Sequence, residues 1–530
     1  MSNSPLIQHP ELVFGLAGPL GVDLDGLSDS LSQSLRAVGY HAVSIKLTDE
    51  MQAYTADITL SASSAYHEQI AAKMDYATAL CRKYGNPATM ALIAIDAIQR
   101  HRRALSGSIN KIPDTPTAYI VRQLKRPNEV ERLRRLYGKQ FVLVSAYTAV
   151  EERFNRVFER IQRSISTRSS PADVKFQTNK ILERDADEDD VNGQHIRDTY
   201  HLADVFVDGN TRQDMDRTID RFIKGFFGKT DVTPTKDEYG MYAAKSASLR
   251  SADLSRQVGA AIFSDAGEII TQGCNEVPKA FGGTYWDQEQ PDFRDVKLGY
   301  DPNEALKKQI VKDLVERLHE AGMLSETCTS LGPVDSIVAT LTAKKKDKQG
   351  VTKGPLADAA IMDLTEYGRI VHAEMCAICD AARLGRSVKG GTLFCTTFPC
   401  HNCTKHILAA GIRRVVYIEP YPKSRVQELH GHEVSLESES ADRVGFVPFI
   451  GISPFRYRDI FQKGRRKNPD GSASSWLGGA PAPMLDPGLG AYLDSEAGEL
   501  LVLTGSYDEK ELRLPGGDGA GLSGDRLLHD

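Results

Sequence analysis

Apolar residues along this chain fall into two patterns, short continuous runs and runs at helical spacing. Residues 12–17 are a continuous apolar run, and Leu27, Leu31, Leu35 and Val38 then recur on one helical face before Gly39. The first pattern predicts a buried strand, the second a helix closed by glycine, and residues 42–47 predict the next strand. Residues 118–121 and 141–145 read as further buried strands flanking a charged helix at 129–136, and 203–207 as a last strand. Strands alternating with helices predict an α/β fold with a doubly wound parallel sheet. The acidic run at 183–190 reads as a solvated loop, and a polar linker is expected at 231–237.

A second unit begins near Glu238, with a helix expected over 244–254. Strands at 258–263 and 268–273 flank Asp265-Ala266-Gly267, whose turn chemistry predicts a hairpin. Residues 285–365 form an insertion, with Lys344 to Lys348 expected as an exposed loop. Beyond it come a helix from His372 to Gly385, a strand at 392–396, a helix at 399–410 and a strand at 414–418. Glycine and proline dominate from about Arg465, predicting an irregular tail with one strand at 499–503. The expected domains are therefore 1–230, 238–465 and the tail 466–530.

Composition narrows the class. The chain of 530 residues carries a formal charge of -6, which argues against a dedicated nucleic-acid binder. Its start lacks the basic and apolar regions of a secretory signal, and the longest apolar stretch, 141–150, is too short to span a membrane. A cytoplasmic protein with no membrane partner is expected. Of eight cysteines, five lie between Cys376 and Cys403, a clustering that points to metal chemistry and not to a disulfide framework.

That cluster contains the most informative pattern in the chain. His372-Ala373-Glu374 is followed by Pro399-Cys400-His401-Asn402-Cys403, with Cys400 26 residues after the glutamate. One histidine and two thiolates supply three of the four ligands of a tetrahedral Zn2+, leaving one position open. Glu374 then handles protons without binding the metal. The pattern is recognised as that of zinc-dependent nucleobase deaminases. Both ligand sets are expected at helix N-termini, where dipoles and free N–H groups stabilise thiolates. A rival reading pairs Cys376-x2-Cys379 with Cys400-x2-Cys403, 20 residues apart, in a closed four-cysteine zinc site. It leaves His372, Glu374 and Pro399 without a role.

The second unit resembles deoxycytidylate deaminases beyond the metal pattern. Arg256-Gln257-Val258-Gly259-Ala260-Ala261 is similar to that family's pocket-floor strand, and Gly273-Cys274-Asn275-Glu276-Val277-Pro278 to its sugar-binding segment. The resemblance implies a cytidine-deaminase-like α/β/α domain, with Val258 and Ala373 against the substrate and Asn275 on the sugar. A turn residue making a local hydrogen bond is the alternative for Asn275. Tyr421, Lys423, Ser424 and Arg425 are candidate phosphate contacts, or a surface loop.

Joined to a first half that resembles P-loop nucleoside-monophosphate kinases, this unit is similar to bacterial anti-phage dCTP deaminases over residues 10–465. That implies hydrolysis of dCTP to dUTP and dCMP to dUMP, depletion of dCTP during infection, a homo-oligomer and a small inhibitory RNA as partner. The alternatives are a deaminase of cytosine or adenine in RNA or DNA, and a non-catalytic nucleotide sensor. Gly15, Gly18 and Gly21 fall where a phosphate loop belongs, but Asp23, Leu24 and Asp25 replace its closing Gly-Lys-Ser/Thr. Hydrolysis in that half is therefore not expected. Arg122, Lys125 and Arg126 read either as phosphate contacts or as a solvated charge run.

Overall fold

The computed structural model describes residues 9–165, 170–347, 350–364, 367–421, 423–476, 481–485 and 492–504. Side chains of 345–347, 350–352 and 504 are not described. The chain forms a mixed α/β structure with two six-stranded sheets in which parallel pairings dominate.

The first sheet contains β1 (Leu12–Ala17), β2 (His41–Lys46), β3 (Thr117–Leu124), β4 (Phe141–Tyr147) and β5 (Val205–Asp208), all parallel. Their spatial order is β5-β4-β1-β3-β2. Alternate residues of β1 enter opposite cores, which explains its unbroken apolar run. Leu12, Phe14 and Leu16 join Leu27, Leu31 and Leu35, while Val13 and Ala17 join Leu80, Leu92 and Tyr119. Gly15 lies inside β1 and not in the following loop, a correction to its expected place in a phosphate loop. A Cβ there would approach Leu124 Cδ1 to 2.5 Å, so close packing requires the glycine.

Two charged segments depart from the expected solvation. The acidic run begins within the helix Pro171–Ala186, where Asp185 is buried and accepts from the Leu20 N–H at 2.6 Å and from Lys125 Nζ at 2.7 Å. The basic cluster is likewise occupied internally. Lys125 also donates to the Gly18 carbonyl, Arg126 is buried against Glu129 at 2.8 Å, and Arg122 pairs with Asp25. Asp185 through Leu20, and Lys125 through Gly18, thus fasten the loop after β1.

The second sheet contains β6 (Gly259–Phe263) and β7 (Ile269–Cys274), joined as the expected hairpin. The insertion carries β8 (Lys344–Asp347) and β9 (Gly350–Lys353), paired as a hairpin where an exposed loop was expected. It also has its own small core of Val311, Val315, Ile337, Val338 and Met362. The second sheet continues with β10 (Thr392–Thr397), β11 (Arg414–Glu419), β12 (Val434–Leu436) and β13 (Val444–Pro448), in the order β12-β13-β11-β10-β6-β7. β14 (Gly451–Ile452) then crosses to the first sheet and pairs antiparallel with β5.

The two halves are thus joined through backbone hydrogen bonds. Glu238 is buried at this junction, paired with Arg221 at 2.7 Å and accepting from the Ile452 N–H at 2.9 Å. The segment 499–503, expected as a strand, lies in the helix Tyr492–Thr504. Leu493, Leu500 and Leu503 pack that helix on the first core, a spacing that fits helix and not strand. Arg102, fully buried, binds Glu496 of this helix at 2.5 Å and Glu11 at 2.9 Å, with the Tyr119, Tyr137 and Tyr492 hydroxyls donating to the two carboxylates. Among the described residues no helix is long and apolar enough to cross a membrane.

Removing Arg102 strands two carboxylates in a dry core. Arg102→Met should cost about 3–5 kcal/mol in urea unfolding. A loss below about 1 kcal/mol would contradict the network's stabilising part.

Candidate metal centre and substrate cavity

β10 places two helix N-termini side by side. His372 is the N-cap of the helix Ala373–Arg383, and Cys400 is the N-cap of His401–Ala409, its sulfur accepting from the Cys403 N–H at 3.4 Å. Pro399 precedes that cap and lies outside the helix that was expected to begin with it. His372 Nδ1 lies 3.4 Å from both the Cys400 and Cys403 sulfurs. A tetrahedral zinc with ordinary Zn–S and Zn–N bonds separates nitrogen and sulfur donors by about 3.6 Å, so the triad fits that ion.

Hydrogen bonding within the triad shifts its protonation. The Cys400 thiol is lowered to about 4, chiefly by the hydrogen bond from Cys403 and then by His372. His372 is raised to about 9 by its hydrogen bond to Cys400, and Cys403 is raised by donating its S–H to Cys400 and by burial. A bound cation would displace these protons.

The rival four-cysteine set does not assemble. Cys376 is buried in the helix, its thiol pushed up to about 11 by burial, while Cys379 is exposed. Neither belongs to the metal-competent group formed by His372, Cys400 and Cys403.

Glu374 stands in the first turn beside the triad, buried, and desolvation raises its carboxyl above the usual range. It lines a cavity together with His372, Ala373, Val258, Asn275, Cys400 and Tyr421. Four sequence candidates besides the metal donors and Glu374 therefore reach the cavity: Ala373, Val258, Asn275 and Tyr421. Asn275 is committed to the protein. Its Oδ1 accepts from the Val258 N–H at 2.7 Å, and its Nδ2 donates to Asp253 at 2.6 Å and to the Arg256 carbonyl at 2.8 Å. It fastens the segment that forms one wall.

Lys423, Ser424 and Arg425 do not line this cavity. Lys423 pairs with Asp363, Ser424 donates to the Pro399 carbonyl, and Arg425 pairs with Glu428. The cation on the cavity wall is Arg256, held by Glu419 at 2.5 Å and 5.4 Å from the Tyr421 ring centre. Asp253, Ser255, Thr397 and Phe398 complete the wall and were not singled out from the sequence. The polar, turn-forming run just before β6 is the signal that could have drawn attention to Asp253 and Ser255.

The double variant Cys376→Ala/Cys379→Ala should retain about one zinc per chain by elemental analysis, with a stability loss of about 1–3 kcal/mol from the buried thiol. Cys400→Ala should lose zinc and stability together. Zinc loss in the double variant would restore the closed site.

Comparison with known proteins agrees with this geometry. A family model described as the cytidine and deoxycytidylate deaminase zinc-binding region matches residues 234–419. The chain is 46% identical over 55 residues to the deoxycytidylate deaminase of Enterobacteria phage T4, covering 10% of this chain and 28% of that protein. It is 32% identical over 105 residues to ComE operon protein 2 of Bacillus subtilis (strain 168), covering 18% of this chain and 53% of that protein. The chain thus spans under a third of the phage enzyme's length and about half of the Bacillus protein's. A solved dCMP deaminase from cyanophage S-TIM5, in complex with dCMP and dUMP, aligns at 18% identity and a TM-score of 0.22, over 41% of this chain and 98% of that one. Over residues 234–419, which hold His372, Glu374, Cys400 and Cys403, the chain is thus similar to the zinc-binding region of cytidine and deoxycytidylate deaminases.

Proposed function

We propose that the protein is a zinc-dependent hydrolase of free deoxycytidine nucleotides, converting dCTP to dUTP and dCMP to dUMP. The observation that carries this reading is a buried Glu374 beside three metal-competent donors, two of which, His372 and Cys400, line the same cavity. The phage relative, named for deoxycytidylate, supports the substrate class. Zinc held by His372, Cys400 and Cys403 would supply the Lewis acidity that makes water a nucleophile near neutral pH.

Glu374 does the proton work. Its carboxylate accepts a proton from the water that adds to C4 of cytosine and passes it to N3. The carboxylate then takes the proton of the C4 hydroxyl and delivers it to N4 as the C4–N4 bond breaks, and uracil and ammonia result. Burial raises the proton affinity of Glu374, which suits a group that must hold a proton between two transfers. Val258 and Ala373 bound the base, and Asn275 keeps the 253–258 wall in place.

Arg256 is the phosphate contact in this reading, exchanging Glu419 for the substrate's anion. A free nucleotide fits this single cation better than a polynucleotide, whose binding calls for an extended basic and aromatic groove. The biological role follows the resemblance to anti-phage dCTP deaminases: loss of dCTP starves infecting phage of a DNA precursor.

Glu374→Ala should keep one zinc per chain and lose deamination of dCTP and dCMP by at least about 1,000-fold, measured as uracil product. Arg256→Ala should raise KM for the nucleotides about tenfold with little effect on deoxycytidine. During infection, wild type should lower dCTP and raise dUMP, and the Glu374 variant should do neither. Deamination of cytosine in single-stranded DNA or RNA in preference to dCTP would overturn the reading.

A further inference from the structure

The cation assigned above to the substrate's phosphate is masked in this structure. Arg256 is already paired with Glu419 at 2.5 Å, so a nucleotide can take it only by leaving that carboxylate without its cation. Glu419 would then stand as a free negative charge beside a bound phosphate, and like charges at short range repel. A site built this way needs a second cation for Glu419.

The backbone keeps Glu419 in place whichever cation it holds. It pairs with Thr397 in the register of β10 and β11, and its carbonyl accepts from the Phe398 N–H at 2.8 Å. Its Oε2 accepts from Thr397 Oγ1 at 3.3 Å, and its Oε1 is the atom that Arg256 holds. Thr397 and Phe398 both line the substrate cavity, so the carboxylate is anchored to the cavity wall itself. Arg256 is the more exposed member of the pair, at 43% against 31%.

Lys245 is the uncommitted cation of this region. It lies in the last turn of the helix Lys236–Ser248, half-buried, and among the described residues it makes neither an ion pair nor a hydrogen bond. Its Nζ stands 5.3 Å from the centre of the Phe455 ring, a face that attracts a cation without neutralising it. The helix is pressed against the strand that follows Arg256. A Cβ on Gly259 would meet the Ala244 carbonyl at 2.0 Å, and the Gly259 N–H donates to Thr396 Oγ1 at 3.1 Å. Lys245, next to Ala244, therefore lies at the end of the sheet that carries Arg256 and Glu419. Burial holds its ammonium below the usual lysine range, and the Glu419 carboxylate opposes that shift. A half-buried lysine without an acid is costly, and this one is left so within the field of the carboxylate that substrate binding would strand.

We propose that Lys245 is a positioning residue that takes over Glu419 when the substrate's phosphate takes Arg256. The inference rests on the assignment of Arg256 as the phosphate contact. Arg256, Glu419 and Lys245 together carry one net positive charge, and the exchange brings it to bear on the phosphate. Without Lys245 the remaining pair is neutral. A ligand lacking a phosphate leaves Arg256 with Glu419 and gains nothing from the trio.

The test uses the full-length, zinc-loaded protein. It measures kcat and KM for dCMP and deoxycytidine, and the Kd of dCMP by calorimetry in the Glu374→Ala background. Lys245→Met should raise KM and Kd for dCMP about three- to tenfold, with kcat and the deoxycytidine values unchanged. Lys245→Arg should restore the wild-type affinity. The double variant Lys245→Met/Glu419→Gln should bind dCMP as Glu419→Gln alone does, because no stranded carboxylate remains. Unchanged dCMP affinity in Lys245→Met would overturn the exchange. So would a full Lys245→Met defect in the Glu419→Gln background, the signature of a lysine that touches the phosphate directly. A wild type that binds dCMP without deaminating it would sink the deaminase reading, while the Kd series still decides the exchange. No binding of dCMP would overturn both.

Discussion

Everything at the metal-competent site depends on two helix N-termini being held together at the end of β10. Their free N–H groups and dipoles favour negative charge, and the chain places a histidine and two thiols there. His372 Nδ1 at 3.4 Å from both sulfurs is the spacing a tetrahedral ion requires. The close contact of β7 with the first helix is equally constrained: a Cβ on Gly273 would meet the Ala373 carbonyl at 2.3 Å. The hairpin β6–β7 can therefore lie against the metal helix only with glycine at that position. Asn275, two residues on, then fastens the wall of the cavity.

The two halves share more than a linker. β14 follows the last strand of the second sheet and becomes an edge strand of the first, so the second unit completes the first unit's sheet. The helix Tyr492–Thr504 returns to the first half and closes a buried network around Arg102. A second bridge is the carboxylate of Glu437, which accepts from the Val150 N–H at 3.0 Å at the start of the helix Val150–Ser164. Strand completion and helix docking give the halves a fixed relation that separate domains on a flexible linker would lack.

Local patterns were legible in the sequence, and long-range partners were not. β1 matches its apolar run, the β6–β7 hairpin matches its Asp-Ala-Gly turn, and the metal triad follows from two short motifs that each open a helix. Asp185 looked solvated because its neighbours are acidic, but its partners Leu20 and Lys125 are 165 and 60 residues away. Arg256 drew no attention as a cavity cation because Glu419 and Tyr421, which hold it there, lie far along the chain. Lys423 and Arg425 looked like phosphate contacts by proximity to the metal helix, yet acidic neighbours take them. The last helix was hidden by the glycine and proline around it, although Leu493, Leu500 and Leu503 already carried its spacing.

The central claim is an open His-Cys-Cys zinc site, and X-ray absorption at the zinc edge of the purified protein tests it most directly. The account predicts two sulfur ligands at about 2.3 Å, one imidazole nitrogen at about 2.0 Å and one light-atom ligand from solvent. A shell of four sulfurs, or a protein purified under zinc-replete conditions that holds no zinc, would contradict it.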